Sequence, residues 1–202
     1  MNRTLVRLLA LAMILILTGC QGAPPPAPAG QSQLARGEYL VNVLGCHDCH
    51  TPKIMGEKGP VPDMSRRLSG HPEGSNLPAP PQLPEGPWAV TCTWDLTAWS
   101  GPWGITYATN LTPDEDTGMG IWTEEMFLKA IRTGKHMSEG RPILPPMPIE
   151  DFRHLTDEDL EAVFAFLRSL PAVKNAVPEA VILPPPGAPA AEGDAPAKPT
   201  GS

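Results

Sequence analysis

A chain of 202 residues with 22 acidic and 15 basic side chains has a formal charge of −7, which argues against nucleic acid as a partner. Its 27 prolines and 19 glycines demand much loop and turn, while 41% apolar residues suffice for one core. Four cysteines are too few for a dense disulfide framework.

In chain order, Arg3 and Arg7 precede an apolar run from Leu8 to Leu17. That run is about half the ~20 residues a spanning helix needs, so residues 1–19 read as a cleaved leader. Leu17-Thr18-Gly19-Cys20 resembles a bacterial lipobox, which implies a lipid on Cys20 and an ordinary leader with an incidental Cys as the alternative. The expected location is the periplasm-facing side of a bacterial cell envelope. Gln21 after the Cys leans towards the outer rather than the inner membrane. Losing Arg3 and Arg7 makes the remainder two charges more negative.

Residues 20–31 are rich in Pro and Ala and read as a tether that buries nothing. Residues 181–202 have the same composition and read as a disordered tail. One domain is therefore expected over residues 32–180.

Three helices are predicted. Ser32 is positioned to cap the first, with Leu34, Leu40, Val41 and Leu44 at helical spacing and Gly37 in its interior. Gly costs a helix about 1 kcal/mol relative to Ala, which is reasonable where a second helix crosses closely, Phe166 or a neighbour being the candidate. The second helix runs from a Thr123 cap through Phe127, Leu128 and Ile131 to Gly134. The third follows Thr156 and three acids at the positive end of its dipole, with Leu160, Val163, Phe164 and Leu167 before Pro171. No strand alternation is visible, so an all-α fold with long loops is expected. Loops as long as the one between His50 and Thr123 are uncommon and usually functional.

The chemistry is concentrated in Cys46-His47-Asp48-Cys49-His50. This is C-x-x-C-H, the attachment pattern of a c-type haem. Two thiols one helical turn apart can each join one vinyl group of the same porphyrin, and His50 can then reach the iron. A redox dithiol and half of a zinc site compete with this reading, but the adjacent His and the exported leader favour haem. Cys92 is left without a partner and reads as a small buried apolar residue, or as a site for an intermolecular bridge if exposed.

The second axial ligand is open among Met55, Met64, Met119, Met126, Met137, Met147, His47, His71, His136 and His154. Met147 stands out in Leu144-Pro145-Pro146-Met147-Pro148, where prolines stiffen the backbone and remove N–H donors. The alternative is an ordinary apolar loop residue. A carbonyl near Pro60 or Pro62 is the expected acceptor for the other ring N–H of His50. Trp122 or Arg132 is the expected contact for a haem propionate.

Three stretches carry a family resemblance: Asn110-Leu111-Thr112-Pro113-Asp114, Thr117-Gly118-Met119-Gly120-Ile121-Trp122-Thr123, and Ala165-Phe166-Leu167-Arg168-Ser169-Leu170-Pro171. With the CHDCH motif and Met147 they resemble class I c-type cytochromes. More narrowly, they resemble the monohaem modules in cytochrome subunits of bacterial membrane-bound dehydrogenases. The resemblance implies a cytochrome c-like helical domain around one covalent haem c, thioethers at Cys46 and Cys49, and iron bound by His50 and Met147. This chain has one such module where those subunits usually carry three, and its segment 56–103 is longer than in a minimal cytochrome c.

The function implied is one-electron transfer, with a dehydrogenase or terminal oxidase as redox partner. A peroxidase-like oxidoreductase and a haem-based sensor are the alternatives. The face around Gly45, His47, Thr51 and residues 145–148 is the expected docking surface, with Asp114 to Asp116 and Asp157 to Glu161 steering a basic partner.

Overall fold

A computed structural model of the chain describes residues 32–183. The leader, Cys20 and the tether lie outside the described residues, as does the tail from residue 184. Among the described residues no helix is long and apolar enough to cross a membrane.

Helix α1 spans Gln33–Val43 and buries Gly37, Leu40 and Val41. It stops at Gly45, whose φ of 69° turns the chain into the five-residue helix α2, Cys46–His50. Helix α3, Glu124–Thr133, starts where the Thr123 hydroxyl accepts from the Met126 N–H and ends at left-handed Gly134. The single turn α4, Ile149–Phe152, leads to α5, Asp157–Ser169, which Thr156 caps through the Asp159 N–H.

The core lies between α1, α3 and α5. Leu40, Val41, Phe127, Ile131, Leu160, Val163, Phe164, Phe166 and Leu167 are all buried in one cluster with Leu68, Met119 and Ile149. The rings of Phe127 and Phe164 stack with centroids 5.4 Å apart. Two cations fasten the rim. Arg36 on α1 meets Asp159 on α5 at 2.9 Å, and Arg168 donates to the carbonyls of Met119 and Gly120.

Six short strands also form among the described residues. Strands β1, Lys53–Gly56, and β2, Gly59–Pro62, make an antiparallel hairpin. Strands β3 (Thr91–Cys92), β4 (Ala98–Gly101), β5 (Gly104–Tyr107) and β6 (Val181–Ile182) form an antiparallel sheet in that order. At two to four residues each, they are too short to show a period-2 pattern, and Gly or Pro interrupts most of them. The pairing of Gly104 with Ile182 and of Ile105 with Val181 carries ordered structure past residue 180.

Gly37 lies where α1 and α5 cross. A Cβ there would overlap the Ala162 carbonyl and come within 2.7 Å of Phe166 Cβ. At an exposed helical site Gly→Ala stabilises by about 1 kcal/mol, so this contact should reverse the sign. Gly37→Ala is expected to lower stability by about 2 kcal/mol or more, read from the denaturant midpoint, because the crossing helices must separate. A stabilised variant would show that the helices do not pack at this distance.

Candidate functional site

Helix α2 presents Cys46, Cys49 and His50 from a single turn, all three half-buried. Cys46 joins the apolar shell around the core with Leu44, Leu111, Trp122 and Ile143. Burial pushes its thiol up to about 11 and raises that of Cys49 as well. Redox dithiols depend on a lowered thiol pKa, so this environment disfavours that chemistry. Among the described residues no group of three or more His, Cys, Asp or Glu side chains is placed to hold a metal ion.

His50 Nδ1 lies 2.8 Å from the Thr109 carbonyl oxygen. A carbonyl only accepts, so Nδ1 carries the proton and Nε2 keeps its lone pair. Burial lowers the pKa of the ring, which the Thr109 carbonyl partly opposes, and this favours a neutral imidazole. That is the form an iron ligand needs. The acceptor is Thr109 rather than a carbonyl near Pro60 or Pro62. Those two residues belong to the β1–β2 hairpin, with Pro60 opposite Met55 and Pro62 opposite Lys53.

Met147 is half-buried in the loop before α4, and its carbonyl accepts from the Ile149 N–H at 2.8 Å. The same loop is tied to β5, where Thr106 Oγ1 donates to the Pro145 carbonyl at 2.8 Å. Three residues further on, Thr109 holds His50. One short segment thus fastens both His50 and the loop that carries Met147.

The other ligand candidates are placed differently. Met55 and Met64 are more than half exposed, and His154 is exposed. Met119 is buried in the core, while Met126 and Met137 are half-buried. His47 has both ring nitrogens engaged, Nδ1 with Thr51 Oγ1 at 2.8 Å and Nε2 with Arg67 at 3.3 Å. His71 is fully buried, with Nδ1 2.7 Å from Thr97 Oγ1. His136 packs edge-on against Trp122.

Several expectations need correction. The Arg132 guanidinium donates to the carbonyls of Arg153 and Leu155 and pairs with Asp157, so it braces the α4–α5 junction. Cys92 is exposed rather than buried. Thr51 is fully buried and cannot line a docking surface. Asn110, which begins a glycosylation-like triplet, is sealed inside with its amide on the Val173 carbonyl at 2.7 Å.

Burial also holds His71 and His136 below the ordinary histidine pKa, despite a nearby acid at each. The unfolded chain therefore binds protons at a pH where the folded chain does not. Stability is full above about 6.5 and is expected to fall as the pH drops below it. Urea midpoints from about pH 8 to about pH 5 check this, and His136→Gln should flatten the decline. A pH-independent midpoint would mean that these rings titrate normally in the fold.

No family model matches the chain. It is 29% identical over 163 residues to the fructose dehydrogenase cytochrome subunit of Gluconobacter japonicus, covering 78% of this chain and 26% of that protein. It is 30% identical over 145 residues to the cytochrome c subunit of the quinone alcohol dehydrogenase of Gluconobacter oxydans (strain 621H), covering 72% and 23%. The cytochrome c subunit of gluconate 2-dehydrogenase from Pantoea cypripedii is 28% identical over 138 residues, covering 68% and 23%. The chain spans about a quarter of the length of these curated relatives.

Proposed function

We propose that this chain, whose relatives are cytochrome c subunits of dehydrogenases, is a one-electron carrier built around one covalently attached haem c. The supporting observation is the C-x-x-C-H turn, with His50 Nδ1 anchored on Thr109 so that Nε2 keeps its lone pair. The fold around it is a cytochrome c-like helical domain, with the short strands as additions in its loops.

Cys46 and Cys49 would supply the thioether sulfurs, and His50 and Met147 would hold the iron. The bound group contributes an iron that exchanges one electron. With His50 and Met147 both engaged, no position would be left for a substrate, and the thioether would favour the reduced state and so raise the potential. The protein's part is orientation and exclusion of water. The Thr109 carbonyl sets the plane and basicity of the His50 ring. The Thr106–Pro145 bond restrains the Met147 loop, so little rearrangement need accompany electron transfer.

The redox partner is a dehydrogenase, in keeping with the names of the relatives, and a terminal oxidase is the alternative partner. The site of action is the periplasmic face of the cell envelope, with a lipid on Cys20 as the anchor.

Ligation is tested by Met147→Ala. Haem should stay covalent, because attachment uses Cys46, Cys49 and His50, but the low-spin six-coordinate spectrum and the Met–iron charge-transfer band should vanish. The reduced variant should then bind carbon monoxide. An unchanged spectrum assigns the second ligand elsewhere, and a high-spin wild type favours the peroxidase-like reading.

Anchoring is tested with the full chain in its bacterial envelope. The wild type should partition into detergent and incorporate labelled fatty acid, and Cys20→Ser should incorporate no label and remain an uncleaved or unlipidated form. Recovery of unlabelled wild type wholly in the soluble periplasmic fraction would remove the anchor.

A further inference from the structure

The proximal hydrogen bond is itself held by residues that carry no part of the attachment motif. Gly70 donates its N–H to the His50 carbonyl at 2.8 Å. Its φ of +82° is a conformation that side chains rarely adopt, and a Cβ there would lie 2.6 Å from Thr109 C and 2.7 Å from Thr109 O. Gly70 therefore touches both partners of the His50–Thr109 bond. Any residue with a side chain would press on the carbonyl that accepts the imidazole proton.

Asn175, six residues after the end of α5 and 2% exposed, keeps Gly70 in place. Its Nδ2 donates to the carbonyls on either side of Gly70, Ser69 at 2.7 Å and His71 at 2.8 Å. Its Oδ1 accepts from the Glu73 N–H at 2.8 Å and from Arg66 at 3.0 Å. These bonds fix the orientation of the amide, because the two carbonyls can only accept and the Glu73 N–H can only donate. Asn175 is anchored in turn by its own N–H on Thr117 Oγ1 at 2.9 Å. The neighbouring Val173 is held by Thr112 and Asn110. Asp lacks the two donors, and Gln would displace them by a methylene.

We infer that Asn175, acting through Gly70, is a positioning residue that fixes the His50–Thr109 hydrogen bond and so sets the midpoint potential of the haem. The inference rests on the carrier function proposed above. A firm Nδ1–H···O bond gives the ring more anionic character, strengthens its donation to iron and favours the oxidised state. Slackening that bond raises the potential.

The test uses the full haem-bearing chain with Asn175→Ala, Asn175→Asp and Gly70→Ala. Haem content is read from the alkaline pyridine spectrum, the potential by spectroelectrochemistry, and His50 Nδ1–H exchange by NMR. The expected result is a higher potential in each variant that folds, with covalent haem and the Met–iron band retained. The His50 proton should exchange about fivefold faster, the factor that corresponds to losing one neutral hydrogen bond. A role in stability alone would lower the unfolding midpoint and leave potential and exchange at wild-type values, which overturns the inference while the carrier function stands. A lowered potential overturns it too. Wild type isolated without covalent haem overturns both the carrier function and this inference.

Discussion

The hydrogen bond from His50 Nδ1 to the Thr109 carbonyl is the constraint on which the rest of the arrangement depends. It spans 59 residues of sequence and joins the attachment helix to the far end of the long loop. Without it the imidazole could rotate or change tautomer, and its free nitrogen would have no fixed direction. The helical packing supplies the platform. The close α1–α5 crossing at Gly37 fixes α1, and Gly45 turns directly from α1 into α2. The strand side supplies the counterpart, because the segment from Thr106 to Thr109 holds both His50 and the loop of Met147.

A loop can hold an acceptor firmly only if its own backbone is satisfied. Irregular backbone cannot pair with itself as a sheet does, so side chains must complete the bonding. Asn110, Thr112, Thr117 and Asn175 do this on one side, each bonding to groups distant in sequence or across a turn. On another side Lys53 Nζ joins the Asp48 and Asp95 carbonyls. Burial alone would raise the Asp95 carboxyl, but hydrogen bonds from Thr93 and Thr97 outweigh it and hold it below the usual range. The charged carboxylate then accepts from Thr97 Oγ1 at 2.9 Å, so that hydroxyl oxygen is left to accept from His71 Nδ1 at 2.7 Å. Buried polar groups in this region are thus linked in a directed chain.

The helices were legible because their signals are local. Thr123, Gly134 and Thr156 mark ends within one turn of the residues they cap, and the apolar spacing of α5 repeats over 13 residues. The close approach at Gly37 was legible for the same reason, since a glycine within an amphipathic helix implies a near neighbour. The acceptor on His50 was not, because any non-proline residue and proline alike offers a carbonyl, and the choice of Thr109 over the Pro60 region depends on long-range pairing. The bracing role of Arg132 was hidden for a related reason. A cation on a helix beside the expected cofactor suits a propionate, but the open carbonyls of Arg153 and Leu155 lie within its reach. Cys92 was placed inside by its chemical type, whereas it stands on a two-residue strand at the edge of the sheet.

Charge shows how far composition can stand in for structure. An acidic chain suggests a negative field around the attachment motif, yet many of its acids are locally compensated. Asp116 meets Lys174 at 3.3 Å, Asp159 meets Arg36 at 2.9 Å, and Asp157 is paired with Arg132. Beside the motif itself stands Arg67, shared between His47 and Glu38. Exposed pairs of this kind contribute little to stability, and their fields fade beyond about 10 Å at ordinary ionic strength. The formal charge of −7 therefore does not by itself give the field where C-x-x-C-H lies. Close to the motif, Ile54, Met55 and Val61 of the first hairpin are exposed. Recognition at that face would rest on shape and apolar contact at short range, with the more distant acids contributing chiefly at low salt.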